Sequence, residues 1–300
     1  MSTIALFGSI ESGLIYALVA LGVLISFRIL DFPDLTADGS FPLGGAVFAV
    51  LVMHGVNPWL SCLLAALAGA CAGFVTAWLH VSLKIMQLLA SILVMVALYS
   101  VNLRIMGAPN LPLLNQDSVF TPFFNNDGSN QFWIQPLVIF VFVLICKFLL
   151  DWFFSTQTGL AMRATGVNAR MAKAQGINTS VMLILGMALS NALIALAGAL
   201  FVQTQGGADI SIGIGTIVVG LAAVIIGETL IPAKRFIVIT LAVIVGAILY
   251  RLFIALALGS ETLQHIGFGP QDLNLITAIL VVLALRLPAL KVYLKRKFKS

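Results

Sequence analysis

The sequence predicts an all-α polytopic membrane protein of about nine transmembrane helices, arranged as two inverted-topology repeats. Composition is the first reason: 61% of the 300 residues are apolar and 9% charged, where a soluble globule carries roughly a quarter charged. Mean hydropathy is +1.11. The second reason is the recurrence of apolar runs near 4–28, 41–54, 58–81, 86–104, 132–154, 179–204, 211–231, 236–258 and 272–290. The third is an order of features that occurs twice in the chain.

The runs divide the chain into one membrane domain, 1–300. Repeat 1 covers about 4–104. A linking span, 132–154, and a polar loop, 155–178, lead to repeat 2 at about 179–290 and a basic tail at 291–300. The first run has no basic segment before it and no small-residue cleavage site after it, so it is expected to be a span rather than a removed signal. Cys62, Cys71 and Cys146 fall inside apolar runs and read as small packing residues rather than disulfides or metal ligands.

Lys and Arg set the orientation. With the 155–178 loop in the cytoplasm, 13 of the 16 basic residues lie inside, among them Arg28, Lys84, Arg163, Arg170, Lys173, Lys234, Arg235 and the tail. The N-terminus is then outside and the C-terminus inside. The 105–131 loop, rich in Pro, Gly and Asn, faces the exterior either as a connector or as a landing surface for an extracytoplasmic partner.

The repeated order is an apolar span, an acidic–hydroxyl–glycine break and a span rich in small residues. Ala17–Gly22 leads through Asp34-Leu-Thr-Ala-Asp38-Gly39 to Gly44-Gly45-Ala46. Ala192–Ala197 leads through Asp209-Ile-Ser-Ile-Gly213 and Gly215 to Gly220-Leu-Ala222. Spans 1–4 thus correspond to spans 6–9. Matched interruptions of this kind mark the transport region of many transporters. The run Phe41–His54 covers only about 21 Å of a hydrocarbon core of roughly 30 Å. Either its helix begins earlier, near Asp34, or the segment is broken within the membrane. The Asp residues are either helix caps in an interfacial turn or part of a pathway.

Charges within spans are few. Lys147 and Asp151 are four apart and read as a neutralising pair. Arg251 either snorkels outward or pairs with an acid such as Glu11. His54, His80 and His265 are isolated at span ends. Asn102, Asn191, Gln203 and Gln205 either line a route or glue helices together. The chain has no G-x-x-x-x-G-K-[ST] loop and no clustered metal or nucleophile set, so it is expected to be non-catalytic and to bind no cofactor of its own. Nothing points to nucleic acid.

The remaining feature is the basic segment Gly159–Gly176. Asn168 suits an N-cap, Ala169–Gln175 a helix of two turns, and Gly176 a C-terminal stop. With Arg163, Arg170 and Lys173 and no acid, it reads as a cytoplasmic docking surface, with contact to anionic lipid as the simpler alternative.

Gly159, Arg163, Ala164, Gly166, Asn168, Ala172 and Gly176 resemble the cytoplasmic coupling loop of ABC-importer permeases of the branched-chain amino acid and ribose permease family. The stretch Asp31–Gly45 is similar to a subgroup assigned to tryptophan or tyrosine uptake. The resemblance implies a type II importer-like fold, a second copy of the permease, a cytoplasmic ATPase dimer that binds ATP and Mg, and an extracytoplasmic binding protein, all at the bacterial inner membrane. The expected cargo is an amino acid, aromatic first. A branched-chain amino acid or another small solute, and a stand-alone secondary transporter, are the alternatives.

Overall fold

The computed structural model describes residues 3–114, 116–123, 131–233, 235–258 and 282. Ten helices run through them: α1 Thr3–Val23, α2 Ala37–Met53, α3 Pro58–Leu83, α4 Gln87–Met106, α5 Gln131–Ser155, α6 Gln157–Val167, α7 Ala169–Ala174, α8 Thr179–Gln205, α9 Thr216–Leu230 and α10 Phe236–Leu258. Two short strands, β1 Asn110–Pro112 and β2 Gly207–Asp209, pair antiparallel.

Among the described residues seven helices are long and apolar enough to cross a membrane, not nine. The second expected span is the shorter α2, at 17 residues. It begins at Ala37, upstream of Phe41, because Ala37-Asp38-Gly39-Ser40 continues the helix despite its polarity. The ninth expected span, 272–290, lies outside the described residues apart from Val282, and the basic tail, 291–300, Lys234 and His265 lie outside them too. The 155–178 segment is also more ordered than the sequence suggests. Thr156 caps α6, accepting from Gly159 N at 3.4 Å, so residues expected to form a loop are helical before α7 begins.

Packing is crosswise. Helix α8 lies against α1, α2 and α3, whereas α1 lies against α5, α8, α9 and α10. Small residues permit the close approaches. A Cβ on Gly44 would collide with the Ala195 carbonyl oxygen of α8, and one on Gly198 with the carbonyl of Phe41. The outward faces of α3, α4 and α5 carry large apolar side chains such as Leu63, Phe74, Leu93, Phe148 and Trp152. A soluble protein rarely exposes so much contiguous apolar surface.

The helix ends sort into two poles. Near one, Gly166 abuts Ile29, Arg163 meets Phe236, and Arg28 Nε pairs with Glu228 Oε1 at 2.9 Å. Leu30, Lys84, Asn168 and Thr179 line one cavity there. At the other, the stretches 107–114 and 116–123 are tied down. Leu113 N donates to Gly206 O at 2.9 Å, Val119 N donates to Gln203 Oε1 at 2.9 Å, and Val119 and Phe120 are buried. These stretches are therefore more than loose connectors.

Candidate functional site

Two regions carry polar chemistry: the breaks on either side of α2 and α9, and the basic pole with α6 and α7.

The first break follows a π-helical turn, Leu24–Ile29, at the end of α1, a distortion common at functional sites. Asp31 then takes a left-handed conformation, φ 52°, and the chain turns back into the bundle. Asp34 is fully buried. Its Oδ1 accepts from Thr36 N at 2.9 Å and its Oδ2 from Asn191 Nδ2 at 2.8 Å. Asn191 Oδ1 in turn accepts from Ser40 Oγ at 2.7 Å, and Thr36 and Thr76 share a hydroxyl contact of 2.8 Å. The network joins α2, α3 and α8, and it satisfies polar groups that would otherwise be stranded in an apolar interior. Asn191, one of four polar residues the sequence left undecided, is its hub. Counted from Thr179 it lies twelve residues along α8, about 18 Å.

The second break repeats the local geometry. Asp209 Oδ1 accepts from Ser211 N at 2.7 Å, as Asp34 Oδ1 does from Thr36 N. The two breaks then meet. Asp38, in the first turn of α2, accepts from Gly215 N at 3.2 Å and Ile217 N at 2.9 Å. It thereby caps the N-terminus of α9, where free N–H groups and the helix dipole favour an anion. Gly215 is the N-cap of α9, φ +83°. Gly213 faces the Asp38 carbonyl and the Pro42 ring, where a Cβ would not fit. Pro42 has no N–H to return to that carbonyl, so the space beside it is open to the partner turn. Gly39 lies against Leu98, Gly45 against Val202 and Gly220 against Val23. All nine pathway candidates thus fall in or beside the two breaks, as packing, capping or wall residues.

A cleft of about 520 Å³ opens beside this meeting point, lined by Asp38, Gly39, Pro42, Met95, Tyr99 and Asn102 among others.

At the basic pole α7 forms as the caps predict. Asn168 Oδ1 accepts from Met171 N at 3.0 Å, Ala164 O accepts from Asn168 N at 3.1 Å, and Gly176 closes the turn at φ +82°. Ala172 is buried beneath the helix, whereas Arg170 and Lys173 are exposed. Gly159 packs on the backbone of Phe153 and Phe154, and a Cβ on Gly166 would strike Ile29 O. The three expected docking charges do not act alike. Arg163 is half-buried, with its guanidinium 5.5 Å from the Phe236 ring centroid on α10. It lies against the bundle rather than on the outward surface. Met171, which the sequence places among the basic residues of this short helix, is 57% exposed, and sequence reading missed Val167, which is 87% exposed on the same surface.

Other charges are settled. Lys147 Nζ and Asp151 Oδ2 pair at 2.6 Å in a buried setting, and Thr240 Oγ1 donates to Asp151 at 2.8 Å. Arg251 sits 3.9 Å from the Tyr16 ring centroid, and no ion pair joins it to Glu11 among the described residues; the aromatic face takes the place of the expected acid. Cys62 is buried, near Gln203 Nε2 at 3.4 Å, while Cys71 faces outward instead of packing inside.

The family model described as branched-chain amino acid transport system/permease component matches residues 5–285. A tyrosine transport system permease protein of Clostridioides difficile (strain R20291) is 43% identical over 94% of this chain and 91% of its own. An uncharacterized protein of Rickettsia prowazekii (strain Madrid E) is 34% identical over 92% and 95%. A galactofuranose transporter permease protein of Escherichia coli (strain K12) is 28% identical over 89% and 74%.

Proposed function

The chain belongs to the branched-chain amino acid transport system permease family, and from that premise we propose that it is the transmembrane subunit of an ATP-driven importer. Its cargo is an amino acid, aromatic in first place, as the name of the tyrosine permease relative suggests. A binding protein delivers the cargo outside, two permease copies form the route, and a separate cytoplasmic ATPase dimer holds ATP and Mg. The permease itself is non-catalytic and multi-pass in the inner membrane, N-terminus out and C-terminus in.

The observation that carries the reading is the α6–α7 pair. Capped, closed by a left-handed glycine and presenting Val167, Arg170, Met171 and Lys173 outward, it has more shape than lipid contact requires. An apolar centre flanked by cations suits a protein groove with an acidic rim. Its inner side seats Gly166 on Ile29, the foot of α1 where the π turn ends. From there the chain runs through the first break to Asp38, which holds α9. Displacement of α7 by a closing ATPase would reach both breaks by this route. Coupling of this kind needs each partner to bind the two states with different free energies.

Two further features support the inverted repeat. The paired Asp turns at 34 and 209 match in local geometry. The crosswise contacts also match, since α3 lies on α8 as α10 lies on α1, and α2 on α8 as α9 on α1.

The test is a tagged purification from native membranes in mild detergent, followed by mass spectrometry and reconstitution. A stoichiometric P-loop ATPase that is lost on Arg170→Glu/Lys173→Glu, with ATP-dependent tyrosine uptake by the intact complex, is the expected result. An ATPase-free protein that transports on an ion gradient alone would replace it with the secondary-transporter reading.

A further inference from the structure

Among the described residues, one side chain in the cleft between α2, α4 and the 3-10 turn Ile210–Gly213 lacks a partner that its chemistry demands. Asn102 is fully buried. Its Nδ2 donates to Gly39 O at 3.2 Å, and its Oδ1 has no hydrogen-bond partner. The amide cannot be turned round to relieve this, because the Gly39 carbonyl can only accept. A buried acceptor left open in this way is uncommon, and here it lines a cavity.

The rest of the wall has matching character. Asp38 spends one lone pair of each carboxylate oxygen on Gly215 N and Ile217 N. A carboxylate has about four acceptor sites, so capacity remains for a donor arriving from the cleft. Among the described residues no Lys or Arg lines the cavity. Tyr99, 57% exposed, offers an aromatic face, and Pro42 and Met95 add apolar surface. At about 520 Å³ the cleft is within the usual range of roughly 300–1,000 Å³ for small-ligand pockets.

We propose that this cleft is a waypoint within the membrane for the cargo, taking its ammonium group against Asp38, a second N–H or O–H donor on Asn102 Oδ1, and its apolar side chain against Tyr99 and Met95. The proposal rests on the importer reading above and deepens it by placing a selective contact in the permease itself. The ligand class follows from charge and shape: an acceptor-rich wall without a cation selects a primary ammonium with a flat apolar body. A sugar could satisfy Asn102 but would bring no cation to Asp38. An amino acid brings both.

The experiment uses the intact importer, with its ATPase and binding protein, in liposomes and radiolabelled L-tyrosine as the probe. Uptake and ATPase stimulation by the loaded binding protein are read in parallel for Asn102→Leu, Tyr99→Leu and Tyr99→Phe. Asn102→Leu is expected to cut uptake about tenfold or more, the scale of one lost buried polar contact, and Tyr99→Leu about tenfold, the scale of a lost aromatic contact, while stimulated ATPase stays within about twofold. Tyr99→Phe, which keeps the ring, is expected to retain uptake. Wild-type uptake in both leucine variants overturns the proposal, and so does a parallel fall of uptake and ATPase, which marks a structural role. A wild-type importer that hydrolyses ATP but carries no amino acid removes the cargo reading itself, a result separable from either.

Discussion

Replacement of Asn191 by leucine tests whether the first break is held by its hydrogen bonds or only by packing. Leucine keeps the γ-branched shape of asparagine at a larger volume, so the change removes polarity without opening a cavity. Two bonds across elements are lost: the 2.8 Å donation to Asp34 and the 2.7 Å acceptance from Ser40. A bond to a charged partner contributes about 1.5–3 kcal/mol and a neutral one about 0.5–1.5. Bonds between membrane helices measure lower, near 0.6 kcal/mol on average, because helices separated in lipid find other partners. Asp34 is fully buried in broken backbone and keeps Thr36 N, so the larger figures bound the effect and about 2–3 kcal/mol is expected. The assay is reversible unfolding in mixed micelles for Asn191→Leu, Asp34→Leu and the double variant. With both partners gone neither leaves the other unpaired, although Ser40 Oγ and Thr36 N still lose their acceptors. The double variant should therefore be more stable than the sum of the singles implies, by about 1–3 kcal/mol. Additivity within about 0.5 kcal/mol would falsify the network as a unit.

Three other outcomes are expected. Arg163→Ala should lower bundle stability by about 0.5–1 kcal/mol through the lost Phe236 contact and leave ATPase association intact, whereas Met171→Ser should weaken association at unchanged stability; thermal unfolding and co-purification separate the two. Gly166→Leu must displace Ile29 or α6, since even a Cβ collides with the Ile29 carbonyl; uptake should vanish, and retained uptake would exclude α6 as the link to α1. The Arg28–Glu228 pair is exposed at 67% and 32%, so Glu228→Gln should change stability by less than about 1 kcal/mol, and less again in high salt.

Local rules made some of the molecule legible. Asn168 and Gly176 bound α7 because a cap needs only neighbours in sequence, and Lys147 and Asp151 meet because residues four apart share a helix face. Asp34 and Asp209 were recognisable as matching breaks for the same reason. What sequence could not supply was the partner across space. Asn191 becomes a hub only when α2 is folded back onto α8, and Asp38 becomes a cap for a helix 177 residues away. Arg163 looked equivalent to Arg170 because both are basic; only the fold shows that the Phe236 ring of α10 lies beside it. Val167 went unnoticed because an apolar residue in an apolar chain gives no signal until its exposure is known. The strand pairing of Asn110 with Asp209 had no sequence signature beyond the turn residues around it.

Crosswise packing sets a timetable for biosynthesis. Helix α1 leaves the ribosome first, yet its neighbours are α5, α8, α9 and α10, the last ending at Leu258. At about 5–20 residues per second, α1 waits roughly 10–50 s for its full set of partners. During that interval it must reside in lipid without its full set of partners, carrying Glu11 as its only charge. Its nearly continuous apolar surface, which ends as the most enclosed of the candidate spans, is what lets it wait. The N-terminal half is thus not a finished unit to which a second half is added; the nascent chain holds its first helix in reserve until its last described one arrives to clasp it.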